Sequence, residues 1–138
     1  MTSVMQDDIL GFALVWARHS LGRDLRFRNH NLQRVLSSAE EARELFIFSS
    51  SGPEPFSPDL DESLNRLTVG GFISRPDLQD PEKVAISKGW FDSDVEAFTP
   101  HLPGSVFGKI VRLDWGLSSR DLKRALAIAD FLVNSKAV

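Results

Sequence analysis

The stretch Ser57-Pro58-Asp59-Leu60-Asp61-Glu62-Ser63-Leu64-Asn65-Arg66-Leu67 carries its own start, face and stop, and constrains the fold more than any other part of the chain. Ser57 is placed to cap a helix with its hydroxyl, and Pro58 suits the first helical position, where a missing N–H costs nothing. Asp59, Asp61 and Glu62 lie near the positive end of the helix dipole. Leu60, Leu64 and Leu67 are spaced four and three apart and share one face. Gly70 or Gly71 suits the left-handed conformation that ends a helix. Phe72 and Ile73 then open a strand over 71–75. Lys83-Val84-Ala85-Ile86-Ser87-Lys88 alternates in hydrophobicity and reads as the antiparallel returning strand. Pro76 to Glu82 holds two prolines and two aspartates and suits an exposed loop between them. The segment therefore predicts a helix over 58–69 followed by a hairpin.

A chain of 138 residues is most simply one domain, long enough to bury a core. The net charge of −3 argues against a surface that binds nucleic acid all over, while leaving room for a local patch. Cysteine is absent, which excludes structural disulfides and thiolate metal sites. Ile9 to Ala17 is apolar but far too short to span a bilayer, and Asp7 and Asp8 precede it where a signal peptide carries positive charge. The expectation is a cytoplasmic protein with no membrane partner.

The remaining pattern is mostly helical. Residues 7 to 20 predict a first helix, with Ile9, Phe12, Ala13 and Trp16 in one stripe and Leu10, Leu14 and Ala17 widening it, so that it belongs at the centre of the core. Leu21 to Arg28 reads as a polar, arginine-rich connection. Residues 29–37 predict a second helix with Leu32, Val35 and Leu36 inward. Ser38-Ala39-Glu40-Glu41 is a capping-box pattern that opens a third, with Ala42, Leu45 and Phe46 inward. Its end, Leu45 to Phe48, fits a short strand equally well. Ser49 to Pro55 is a loop. Short helices are expected near 92–98 and 106–111, broken by Thr99 to Gly104. Ser118-Ser119-Arg120-Asp121 starts a C-terminal helix to about 134, with Leu122, Ala125, Leu126, Ala129, Leu132 and Val133 as its stripe. The expected class is mainly α with a small β-hairpin (α+β).

A helix followed by a hairpin resembles the winged helix-turn-helix superfamily. More loosely, the chain is similar to the group containing the YwgA-like proteins and the Panacea antitoxin domain. The matching residues are Gly52, Pro53, Phe56, Ser57, Leu60, Leu64, Leu67, Gly71 and Ile73, then Val84, Ile86 and Gly89. Trp115-Gly116-Leu117-Ser118 and Leu122 are similar to the family's step before a terminal helix. Glu54-Pro55 is an insertion relative to that pattern, and the N-terminal half carries no matching motif. The resemblance implies a single winged-helix-like domain over 1–138, with its helix–hairpin core at about 57–90. It also implies an antitoxin-like or defence-system role, or a place as a subunit of a larger bacterial assembly.

A winged helix that reads DNA lays its second helix in the major groove. Here that helix is 58–69, with Ser63, Asn65, Arg66 and Thr68 as candidate contacts. Its charges are Asp59, Asp61 and Glu62 against Arg66, a poor match to phosphate. A helix facing a protein partner or solvent fits better. The basic residues lie elsewhere: Arg18, His19, Arg23, Arg26, Arg28, His30 and Arg34 fall within seventeen residues, opposed only by Asp24. Guanidinium forks suit phosphate and carboxylate, so Arg18, Arg23, Arg26, Arg28 and Arg34 are candidates for an anion or nucleic-acid contact. The same residues also fit a salt-bridged face paired with acids such as Glu40 or Glu44.

Motifs for chemistry are missing. His19, His30 and His101 lack the spacing of a helix-borne metal site. No serine sits in a nucleophile elbow, and no phosphate-cradling glycine loop occurs. Asp7-Asp8 and Asp61-Glu62 read as partners of helix dipoles, and Trp16, Trp90 and Trp115 as core or interface anchors. The expectation is a protein that is not an enzyme, holds no cofactor or metal, and works through a protein partner or self-association. The alternative is a DNA-binding transcriptional regulator.

Overall fold

A computed structural model of the chain describes residues 3–50, 52–69, 73–74, 79–80, 82–86 and 117–136. Its elements are α1 (Ser3–Leu21), β1 (Leu25–Arg28), α2 (Asn29–Leu36), α3 (Glu40–Leu45), α4 (Pro58–Val69), β2 (Lys83–Ile86) and α5 (Ser119–Ser135). The architecture is mostly helical with a small antiparallel sheet, an α+β arrangement.

Helix α1 is the hub. Ile9, Leu10, Phe12, Ala13, Leu14, Val15 and Ala17 are all buried, which covers most of the helix circumference. A helix apolar on nearly every side must be surrounded, and α1 packs against α5, α4 and both strands. It ends where Gly22 takes a positive φ of 68° and donates its N–H to the Arg18 carbonyl. The inner stripe of α5 is Leu122, Ala125, Ile128, Ala129 and Leu132, largely as its periodicity predicts, and the Ser118 hydroxyl accepts from the Asp121 N–H at its start. One continuous core joins these helices to Leu25, Phe27, Leu32, Leu36, Leu64 and Val84.

The sheet corrects one reading and bears out part of another. Residues 25–28 are not a connection but strand β1. Leu25 and Phe27 turn inward while Arg26 and Arg28 turn outward, the period-two pattern of a half-buried strand that the arginines obscured. β1 pairs with β2 in antiparallel register, Leu25 with Ile86, Arg26 with Ala85, Phe27 with Val84 and Arg28 with Lys83. The expected hairpin is also present in part: Ser74 forms an antiparallel bridge to Ala85, with both N–H···O distances 2.8 Å. β2 thus lies between β1 and residue 74. The other positions of the predicted hairpin, 71, 72, 75, 87 and 88, and the Gly70-Gly71 stop lie outside the described residues, as do the helices expected near 92–98 and 106–111.

Two local predictions also change. Ser38 caps nothing: α3 begins at Glu40 with Ala39 in the N-cap position and no side-chain cap bond. The segment 45–48 is neither all helix nor strand. α3 stops at Leu45, Phe46 is extended, and a single bridge joins Ser49 to Phe56 across the loop.

Candidate functional site

Helix α4 is built as its sequence dictates and then tied down from outside. The Ser57 hydroxyl accepts from the Leu60 N–H at 3.2 Å, the N-cap bond expected of Ser-Pro. The Ser57 backbone is held in turn by Gln33 of α2. The Ser57 N–H donates to Gln33 Oε1 at 2.8 Å, and Gln33 Nε2 donates to the Ser57 carbonyl at 3.1 Å. Gln33 is buried, so this pair of bonds satisfies its amide and joins α2 to the start of α4. Sequence reasoning had no means of singling out Gln33, because its partner is remote in the chain.

The candidate contacts on α4 have separate fates. Ser63 is fully buried and donates its hydroxyl to Asp7 Oδ1 at 2.6 Å. It faces α1 and is not available to an outside ligand. Arg66 forms a fork on the same carboxylate, Nε to Oδ2 at 2.7 Å and Nη2 to Oδ1 at 3.0 Å. That hydrogen bond to Asp7 raises the guanidinium pKa above its ordinary value. Thr68 donates back to the Leu64 carbonyl at 2.8 Å. Asn65 is exposed. The exposed surface of α4 therefore carries Glu62 and Asn65, with Asp59 and Asp61 half-buried beside them. Asp61 accepts from Asn29 Nδ2 at 2.8 Å, while the buried Asn29 Oδ1 has no partner among the described residues. Large apolar side chains flank the helix: Phe56 before it is 44 % exposed, Val69 at its end 90 %, and Ile47, near the bridge to Phe56, 78 %.

Asp7 and Asp8 are not first-turn acids. α1 starts at Ser3, so both lie in its second turn. Asp7 serves α4, and the carboxyl of Asp8 is pushed up by burial and, secondarily, by the neighbouring Asp7 charge.

The basic segment divides at residue 24. The Arg18 side chain is 11 % exposed and forks onto Asp24, with Nη2 3.1 Å from Oδ1. Arg23 is exposed and donates to the Asp24 carbonyl. Arg26 and Arg28 stand on the outer face of β1. Arg28 meets Asp80 at 3.0 Å, and Arg26 has no ion-pair partner among the described residues. Arg34 donates to Asn31 Oδ1 at 3.3 Å. The acids expected to neutralise this segment do not serve it among the described residues: Glu44 pairs with Arg124 at 3.4 Å. The acid that does matter is Glu82, just before β2. Its backbone carbonyl accepts from the Asn29 N–H at 3.0 Å. Its Oε2 accepts from the His30 N–H at 3.2 Å and lies 2.7 Å from His30 Nδ1. A carboxylate from the turn before β2 thus caps α2 across the fold, and the bond with His30 holds the Glu82 carboxyl below its usual range.

A cavity of about 410 Å³ opens on the outer face of the sheet. Arg26, Arg28, Asn31 and Lys83 supply its polar wall, and Phe27, Val84 and Ala85 the rest. Lys83 is directly opposite Arg28 in the strand register. The sequence singles out Arg26 and Arg28 but not Lys83 or Asn31, whose place beside them follows from the strand pairing and the start of α2.

His19 lies against Trp16, which stacks on Phe12. Trp90, Trp115 and His101 lie outside the described residues. Among the described residues no three His, Asp or Glu side chains converge as a metal site, and no helix is long and apolar enough to cross a membrane. Comparison with protein-family models, with curated proteins and with solved structures finds no match.

Proposed function

We propose that this chain is a non-enzymatic, winged-helix-like module that works through protein contact, with the exposed side of α4 and the loop before it as the contact surface. The observation that carries the reading is the state of α4. Its one cation, Arg66, is committed to Asp7, Ser63 is buried, and the surface left over combines Glu62 and Asn65 with the flanking apolar groups Phe56, Ile47 and Val69. DNA affinity is built largely from Lys and Arg neutralising phosphates, and this helix has no cation free to do so. Exposed aromatic and aliphatic groups beside polar ones are what a protein partner buries.

The winged-helix part of the reading draws on element order. A helix, a strand, further helices ending in α4, then residue 74 and β2, with β2 central in the sheet, follow the order of a helix-turn-helix with a wing. An antiparallel sheet and its helices then form the frame that presents α4. An antitoxin-like role, or that of a subunit in a larger assembly, is in keeping with such a frame.

The test is a photo-crosslinking residue placed at Asn65 in the full chain, expressed in cells, with duplex DNA titrated in parallel. The expected result is a discrete crosslink to a protein, either a partner or a second copy, lost in Phe56→Asp and Val69→Asp. Duplex DNA should bind weakly and release as salt rises. Tight duplex binding at physiological salt, weakened by substitutions on α4, would overturn the reading.

A further inference from the structure

We propose that residues 46–50 form an open strand edge on which two copies of this chain pair, antiparallel, about a two-fold axis at Ser49. The inference rests on the reading of the loop before α4 as a contact surface, and it names what sits there. Phe46 is extended, with φ −125° and ψ 143°. Burial then alternates: Phe46 is buried, Ile47 exposed, Phe48 half-buried against the core and Ser49 exposed. That is the period of a half-buried strand. Ser49 uses both of its peptide groups on Phe56. Its N–H donates to the Phe56 carbonyl at 2.7 Å, and its carbonyl accepts from the Phe56 N–H at 3.0 Å. Successive residues of a strand direct their peptide groups to opposite sides, so Phe48 and Ser50 present theirs on the side away from Phe56. Neither has a hydrogen-bond partner among the described residues.

An edge with free N–H and C=O groups is a template for another strand, and most edges are guarded by charge or proline. This one is not. Residues 45–53 carry no charged side chain, and the first proline, Pro53, lies beyond the edge. Nothing on the edge selects a charged peptide, and its symmetry fits a second copy. Paired antiparallel copies are related by a two-fold axis, so the residue on that axis must tolerate meeting itself. A charge there would face its like across the strands. Ser49 is small and uncharged, and hydroxyl pairs across strands attract. With Ser49 opposite Ser49 in a non-hydrogen-bonded pair, Phe48 of each copy stands opposite Ser50 of the other. Each such pair exchanges both of its N–H···O bonds, which uses the free peptide groups of both residues. The Ser49–Phe56 bridges then join into one sheet that runs through both copies. Ile47 shares the outward face of Ser49, and Phe56 stands opposite Ser49, so both exposed apolar side chains flank the axis. The edge is short, and its area falls below that of permanent dimers, so association is weak and rises with concentration.

The test uses the full chain, which has no cysteine of its own. Ser49→Cys places one thiol per copy on the axis, where a Cα separation of about 4.5 Å suits a disulfide. Ile47→Cys lies off the axis, with its two copies about 13 Å apart along the strands, too far to join. Under mild oxidation Ser49→Cys should form linked dimers at least about tenfold faster than Ile47→Cys. Sedimentation of the native chain should show a dimer fraction that rises with concentration. Ser50→Pro removes a donor from each of the hydrogen-bonded pairs and should weaken association by about tenfold. Ser50 is exposed, and thermal melts report whether that variant is folded. The two cysteine variants decide the matter without it. Equal crosslinking from both cysteine variants overturns the proposal, as does a chain that is monomeric at about 1 mM. Dimerisation indifferent to a folded Ser50→Pro overturns it too. A monomer whose photo-crosslinker at Asn65 captures a different protein overturns this inference and leaves the α4 contact surface standing. Absence of both the dimer and any protein crosslink at Asn65 removes that surface as well.

Discussion

Helix α4 and the outer face of the β1–β2 sheet each carry arginine, and they use it in opposite ways. On α4 the polar groups turn inward: Ser63 and Arg66 both serve Asp7, and Ser57 is gripped by Gln33. On the sheet the arginines turn outward, and only Arg28 has a carboxylate partner among the described residues. The difference lies in where each element meets the core. α4 packs against α1, so its flank brings a serine and an arginine within reach of an acid on that helix. β1 has two faces, and burying Leu25 and Phe27 on one fixes Arg26 and Arg28 on the other. A polar side chain becomes structural or available according to geometry, not residue type.

The largest effect on this contrast should come from the apolar side of α4. Leu64 is fully buried, and Leu64→Ala should cost about 2–5 kcal/mol by denaturant midpoint. A loss below about 0.5 kcal/mol would place Leu64 near the surface and dissolve the distinction. Next comes Asp7→Ala, which leaves the Ser63 hydroxyl and the Arg66 fork without their acceptor. It should cost about 1–3 kcal/mol, with Ser63→Ala and Arg66→Met strongly non-additive to it in double-mutant cycles. Additive cycles would mean that the Asp7 cluster does not act as a unit. Removing the N-cap by Ser57→Ala should cost about 1 kcal/mol, read from the same transitions.

A smaller effect tests the link between the sheet and α2. Glu82 has a lowered carboxyl pKa in the folded chain. Its contribution is therefore complete above the unfolded value of about 4.3 and is lost as pH falls through the lower folded value. Melting temperatures of the native chain and Glu82→Gln should differ by a constant amount near neutrality and converge under acid. Parallel curves at all pH values would show that the His30 contact adds nothing. Smallest of all is Arg26→Ala, expected to change stability by less than about 0.5 kcal/mol, because the side chain is exposed and has no ion pair among the described residues. A loss above about 1 kcal/mol would make Arg26 structural and end the contrast from the other side.

What could be read from the chain followed the range of the interaction. The start of α4, its leucine face and the start of α5 rest on residues within a few positions of each other, and local rules reach that far. β1 was missed because four residues offer too little pattern when half are arginine. The commitment of Ser63 and Arg66 was invisible because Asp7 lies 56 and 59 residues away. The same holds for Gln33 with Ser57, 24 residues apart, and for Glu82 with His30, 52 apart. Candidate contacts were therefore chosen by residue type on a helix surface. The cationic cavity appeared only once the strand register set Lys83 against Arg28.

The packing of α1 against α5 has a consequence for how the protein is made. Among the described elements these two helices pack most extensively, yet α5 begins at Ser119 and α1 ends at Leu21. At ordinary translation speeds the roughly one hundred residues between them take on the order of 5–20 s to synthesise. Throughout that interval α1, apolar around most of its circumference, lacks its main cover. The nascent chain is then a client for whatever shields hydrophobic segments at the ribosome. Shortening the chain before α5 should turn a transient exposure into a permanent one, leaving a product prone to aggregate.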